Sequence, residues 1–194
     1  MKSLNAYISE SLLNKDMNST AAISVVQDWL YHVYGFRNSK LYSIDLDTCT
    51  VNSDAAVVVD KTVDRLLPYG WSWGPIKFNF DCSDCKNLKS LEGAPPKARD
   101  FICIGCKSLT SLLGGPLTVT QIFNCSGCDM LKDLTGAPRR LSGDFDCSDC
   151  KNLISLKGAP KTAYIFNCDH CDELKDIKDV PKVKQKLILP FHLR

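Results

Sequence analysis

Apolar positions along this chain follow two different rhythms. In the first third the spacing is helical. Leu4, Tyr7, Ile8, Ser11 and Leu12 share one face of an amphipathic helix over residues 2–13. Ile23, Val26, Leu30 and Val33 form the stripe of a second helix from about Thr20 to Tyr34, with Ser19 or Thr20 as its cap and Gly35 as its stop. Short runs near Leu41–Ile44, Cys49–Val51 and Ala55–Val59, separated by the polar turns Asp45–Thr48 and Asn52–Asp54, predict strands.

From Phe80 onward a longer rhythm takes over. Ten cysteines form the pairs Cys82/Cys85, Cys103/Cys106, Cys125/Cys128, Cys147/Cys150 and Cys168/Cys171, whose first members are 21, 22, 22 and 21 residues apart. Each pair is preceded by a phenylalanine: Phe80, Phe101, Phe123, Phe145 or Phe166. Six residues after the first cysteine stands Leu88, Leu109, Leu131, Leu153 or Leu174, and three further on Leu91, Leu112, Leu134, Leu156 or Ile177. Gly93-Ala94-Pro95, Gly114-Gly115-Pro116, Gly136-Ala137-Pro138 and Gly158-Ala159-Pro160 close the first four units, and a degraded Lys178-Asp179-Val180-Pro181 closes the fifth. A fixed period of this length marks a repeat array.

One unit cannot fold alone. Phe-x-Cys has the period of a strand and points both side chains to one face; the second cysteine and the two leucines continue the inward set around a bend that Gly-Ala-Pro ends. The five apolar side chains of a unit cannot offset the entropy of ordering its backbone, whereas stacked units share strand hydrogen bonds and one core. Val57 and Val59 continue the strand spacing one unit before Phe80 and read as a worn first repeat. Leu187 and Leu189 fall one period after Phe166 and Cys168 and predict a closing strand.

Composition narrows the class. The 194 residues are 44% apolar and 24% charged, an ordinary globular balance. The longest apolar run is Ala55–Val59, far short of a membrane span, and the N-terminus lacks the pattern of a secretory signal. The net charge of +2, from 24 Lys and Arg against 22 Asp and Glu, is too even for binding driven by phosphate contacts, and the repeat aromatics are inward phenylalanines. Neither nucleic acid nor a membrane is expected as a partner. Between Phe80 and Lys186 the two signs alternate, as at Asp81, Asp84, Lys86 and Lys89, which predicts a mixed, solvated surface. The exposed aromatics are expected instead in Tyr69–Pro75, just before the array, where Trp71 and Trp73 are either a partner-binding anchor or, as the favoured reading, the seal of a core end.

The cysteines are the candidate chemistry. Paired C-x-x-C motifs match zinc-ribbon spacing and make Cys82, Cys85, Cys103, Cys106, Cys125, Cys128, Cys147, Cys150, Cys168 and Cys171 candidate metal ligands. The repeat explains the same spacing without metal: both cysteines of each pair face a dry core and act as small hydrophobes with weak donors. The ladder is the favoured reading, with no metal and no cofactor. His170 lies between two thiols but alternates outward, and His32 and His192 have no Cys or carboxylate at telling spacing. No Ser/His/Asp arrangement, Gly-rich phosphate loop or His-rich metal motif occurs, so an enzyme is not expected.

The formula Phe-x-Cys-x-x-Cys-x-x-Leu-x-x-Leu-x-Gly-Ala-Pro resembles the leucine-rich repeat over about Phe80 to Lys186, with Phe and the first Cys at the strand leucines and the second Cys at the Asn/Cys ladder position. Two residues, not one, separate the ladder residue from the next Leu, as in the cysteine-containing variant. Phe80–Ser83, Leu88–Pro95 and Phe145–Ser148 are similar to the short arrays of tailed bacteriophages, which carry Asn where this chain has Cys and one added residue. The resemblance implies an α+β chain: a leucine-rich-repeat-like solenoid of about five to seven short parallel strands over 80–194, a helical and β-hairpin cap over 14–79, and the helix within 1–13. Met1, Lys2, Ile8 and Glu10, with Ser3, Tyr7 and Ser9 as close substitutes, resemble the capsid-targeting leader of T-even-type phage internal head proteins. That leader implies entry into the prohead, cleavage between Glu10 and Ser11, and delivery with the DNA. Together the resemblances imply a non-catalytic binding module in the virion interior and host cytoplasm, occluding a host or phage protein. The alternatives are a structural head-core or assembly component and a zinc-binding protein.

Overall fold

The computed structural model describes residues 19–36 and 39–194. Helix α1 (Ser19–Tyr34) buries Val26, Trp29 and Leu30, and Gly35 ends it at φ +64°, a conformation that glycine adopts at little cost. Trp29 joins the apolar stripe one turn after Val26. The helix expected over 2–13 lies outside the described residues, as do Glu10 and Ser11.

Two strands follow as an antiparallel hairpin, β1 (Tyr42–Asp45) and β2 (Thr50–Ser53). Each begins one residue later than the sequence pattern suggests. Beyond them the chain is a parallel β-solenoid. Its first side is a seven-stranded parallel sheet made of β3 (Val57–Val58), β5 (Asn79–Asp81), β7 (Asp100–Ile102), β9 (Ile122–Asn124), β11 (Asp144–Asp146), β12 (Thr162–Asn167) and β13 (Lys182–Ile188), stacked in that order. Val57 pairs with Phe80, so the worn first repeat is present, and Leu187 pairs with Phe166 in the closing strand. The five phenylalanine rings stack along the axis with centroids 5.2–5.5 Å apart and planes within 11° of parallel.

The second side is a column of turns, and its hydrogen bonds explain the repeat spacing. In each unit the leucine N–H donates to the carbonyl of the second cysteine: Leu88 to Cys85 at 3.1 Å, Leu131 to Cys128 at 3.2 Å, Leu174 to Cys171 at 3.0 Å. Such a bond closes a turn around two intervening residues, the two that separate Cys from Leu in the formula. A second turn follows, with Ala137 N–H donating to Leu134 at 3.0 Å and Ala159 to Leu156 at 2.9 Å. Gly136, in the third position of that turn, has φ +98°, and a Cβ there would lie 2.3 Å from the carbonyl carbon of Leu112 in the preceding coil. Only glycine satisfies both conditions.

The third side was not legible as a separate element. It is a short parallel sheet of β6 (Lys97–Ala98), β8 (Thr118–Val119) and β10 (Arg140–Leu141), with Ala98, Val119 and Leu141 buried beneath it. The hairpin extends this side, since β4 (Ser72–Trp73) pairs in parallel with β2 and Trp73 N–H reaches Gly93 at 2.9 Å. In β12 and β13 the third and first sides merge into single strands, with an irregularity between Ala163 and Ile165.

Candidate functional site

The ten paired cysteines are all fully buried, and every cysteine is a free thiol. Their arrangement follows from one backbone detail. The Asp or Asn after the phenylalanine accepts a hydrogen bond from the N–H two residues on: Asp81 from Ser83, Asn124 from Ser126, Asp146 from Ser148, each at 2.9 Å, and Asn167 from Asp169 at 3.1 Å. This Asx turn takes the N–H that a continuing parallel ladder would supply to the first-cysteine carbonyl of the preceding coil. A buried carbonyl without a partner is costly. The second-cysteine thiol fills the gap: Cys128 donates to the Cys103 carbonyl at 3.1 Å, Cys150 to Cys125 at 3.3 Å, and Cys171 to Cys147 at 3.1 Å. Cys106 makes the same bond to the Cys82 carbonyl at 3.1 Å, although Ile102 in its coil offers no Asx turn. At the N-terminal end Cys85 takes the Asp60 carbonyl instead, at 3.4 Å.

The first thiol of every pair is held in its protonated form, whereas the hydrogen bond with Cys147 lowers Cys171. Burial, followed by the nearby Cys171, pushes Cys168 up to about 12. Burial and the thiol of Cys171 raise Cys147, and contact with Cys150 followed by burial raises Cys125. A protonated, buried thiol is a poor nucleophile and a poor metal ligand. Among the described residues, no three His, Cys, Asp or Glu side chains are placed to hold a metal ion. His170 projects from the coil at φ +53° with its ring exposed, 3.7 Å from Asp149. His192 bonds the Leu174 carbonyl at 2.8 Å.

The tryptophans seal a core end rather than standing at the surface. Trp71 and Trp73 are 6% and 0% exposed. Trp73 packs edge-on against Tyr34 at 5.0 Å and against Phe80 at 6.1 Å, and its Nε1–H donates to the Tyr34 hydroxyl at 3.1 Å. The helix supplies the cover that local sequence could not reveal. The partner-anchor alternative for Trp71 and Trp73 is therefore excluded, and the core-sealing one fits: Trp73 closes the first coil over the phenylalanine stack.

Charge is also distributed differently in space than along the chain. On the first side Asp81, Asp100, Asp144 and Asp146 cluster with Asn79, Asn124 and Asn167, but backbone contacts occupy them. Asp100 accepts from Ile122 N–H and Asp144 from Ile165 N–H, both at 3.1 Å. On the second side acids and bases intermingle, with pairs such as Lys61–Asp84 at 2.8 Å and Lys107–Asp129 at 3.0 Å. The third side carries Lys97, Arg139, Arg140, Lys161 and Lys182, all exposed, and no acid. None of these five forms an ion pair among the described residues. The evenly mixed surface expected from the sequence is thus replaced by segregated faces.

Comparison with protein-family models, curated proteins and solved structures finds no match. The arrangement itself must therefore carry the functional reading. Beside the third-side cations lies a shallow groove of about 620 Å³, floored by Ala137, Pro138, Ala159 and Pro160 and edged by Leu117, which is 56% exposed. A signal for this face is present in the sequence, since the residue after the last proline of a unit is basic in four of five: Lys97, Arg139, Lys161 and Lys182. No helix among the described residues is long and apolar enough to cross a membrane.

Proposed function

We propose that this chain is a bacteriophage-encoded, non-catalytic protein-binding solenoid, carried in the head and delivered to the host cytoplasm to bind and inhibit a host protein. The supporting observation is a division of labour. The ten paired thiols are buried inside the stack, while the outside offers an extended surface whose third side carries five cations without an ion pair among the described residues. The phage assignment rests on the repeat wording and on the leader-like residues Met1 to Glu10.

The test has two readouts. Mass spectrometry of the protein from purified virions is expected to show a chain beginning at Ser11, and affinity capture from host lysate is expected to retain one host protein in stoichiometric amount. A chain that stays with capsid debris after DNA ejection and captures nothing would favour the head-core alternative. Stoichiometric zinc in protein prepared without chelator would overturn the thiol ladder as a metal-free device.

A further inference from the structure

We propose that the third side of the solenoid is a docking site for an acidic, extended segment of a partner protein, with the groove beside Leu117 seating one of its apolar side chains. The proposal rests on the protein-binding reading and adds to it the face used and the chemistry of the segment bound.

The three sides differ in what their charges are free to do. First-side carboxylates are already engaged with backbone N–H groups, as at Asp100 and Asp144. Second-side charges stand among opposite charges within the same column, as in the Lys107–Asp129–Lys151 group. On the third side five cations stand without a carboxylate among them. Lys97, Thr118 and Arg140 share a register, and Lys182 pairs with Thr162 two coils further along. Neighbouring coils are about 4.8 Å apart, so Arg139 and Arg140, Lys161 and Lys182 fall within about 10 Å along the axis. An extended chain rises about 3.3 Å per residue and shows every second side chain on one face, so carboxylates two and four residues apart span about 7 and 13 Å and bracket that length.

The groove selects among anions. Its floor is alanine and proline, and its one large exposed apolar side chain is Leu117. No aromatic ring lines it, so it offers no surface on which a nucleobase would stack. Apolar contact beside a cationic rim fits a peptide that places a leucine-sized side chain among acids. The glycine-proline geometry keeps the floor rigid, so little order is lost on binding.

The probe is a fluorescein-labelled peptide of about eight residues carrying Glu, Leu and Glu at every second position with Ser between them, titrated with the full chain and followed by anisotropy. Saturable binding that weakens with added salt is expected. Arg139→Glu with Arg140→Glu should weaken it at least about tenfold, and Leu117→Ser about threefold or more. Lys86→Glu with Lys89→Glu, on the second side, should leave it unchanged. Circular dichroism of each variant checks that the exposed substitutions leave the fold intact.

Absence of binding at millimolar peptide, equal binding of a Lys-Leu peptide, or insensitivity to the arginine pair would overturn the site. So would a single-stranded oligonucleotide of equal charge that binds more tightly. A captured host protein whose affinity ignores the arginine substitutions would overturn the site and leave the protein-binding reading standing. Specific peptide binding together with no captured protein would do the reverse.

Discussion

The two ends of the stack solve one problem in opposite ways. A solenoid must stop, and each terminal coil exposes a face that would otherwise contact a neighbour. At the N-terminal end α1 lays Trp29 and Leu30 over the first coil, and Trp73 fills the space between Tyr34, Phe36 and Phe80. Trp29 Nε1–H donates to the Leu66 carbonyl at 3.2 Å, and the Tyr34 hydroxyl donates to that same oxygen. This end is closed by apolar cover with its polar atoms satisfied. At the C-terminal end β13 is an edge, Leu187 is 39% exposed, and Lys182, Lys184 and Lys186 are exposed along it. That end is protected by charge, which disfavours addition of another strand. Covering an end stabilises the coil beneath it, whereas charging an end only discourages unwanted partners.

The largest expected contrast lies between single aromatics. Trp73→Ala should cost about 3–5 kcal/mol in chemical denaturation, because it empties the centre of the N-terminal seal. Phe191→Ala should cost less than about 0.5 kcal/mol, since Phe191 is 86% exposed. Equal losses would mean that both ends are covered alike.

The thiol ladder tests how far each end's protection reaches. Cys128→Ala should cost about 1–3 kcal/mol, because it strips the Cys103 carbonyl of its donor in the middle of the stack. Cys171→Ala removes the same kind of bond one coil from the open end, where fraying of β13 admits water to the freed carbonyl. Its cost should be smaller by about 0.5 kcal/mol or more. Identical values would place the C-terminal coil on the same footing as the centre.

The most local effect should follow removal of residues 190–194. His192 holds the Leu174 carbonyl at 2.8 Å, and Arg194 reaches the Leu189 carbonyl at 2.9 Å and Asp169 at 3.0 Å. These contacts are partly solvated, and losing them should cost about 1 kcal/mol. Amide exchange should quicken in β13 and stay unchanged in β3 and α1. Faster exchange throughout would show the tail to be a true cap.

The stack itself was written in the sequence because its information is local and repeated. Phe-x-Cys sets the strand, Cys-x-x-Leu sets a turn, and Leu-x-Gly-Ala sets the next. In-register pairing of Phe80 with Phe101 and Phe123 then follows from a period that hardly varies. That Trp73 seals a core end could be read from its place before the array, but its cover could not, since it comes from Tyr34 and Phe36, nearly forty residues earlier, with no period to link them. The cationic face escaped a reading along the chain because its members lie about twenty residues apart; aligned coil against coil, the basic residue after each proline stands out. The thiol-to-carbonyl bonds needed coordinates, because the carbonyl left without a ladder partner and the cysteine that fills the vacancy belong to consecutive coils.

Near-identical coils also create a hazard during folding. Any coil whose surfaces match its neighbour's can be skipped, so that a segment zips one period out of place and leaves a loop of about twenty residues hanging free. The departures from uniformity then serve as addresses. Ile102 stands where other coils have Asp or Asn, and Gly105 and Gly127 occupy the left-handed position that Asp84, Asp149 and His170 fill elsewhere. Making the coils perfectly alike would favour assembly speed over fidelity, and the small irregularities tell each coil which neighbour is its own.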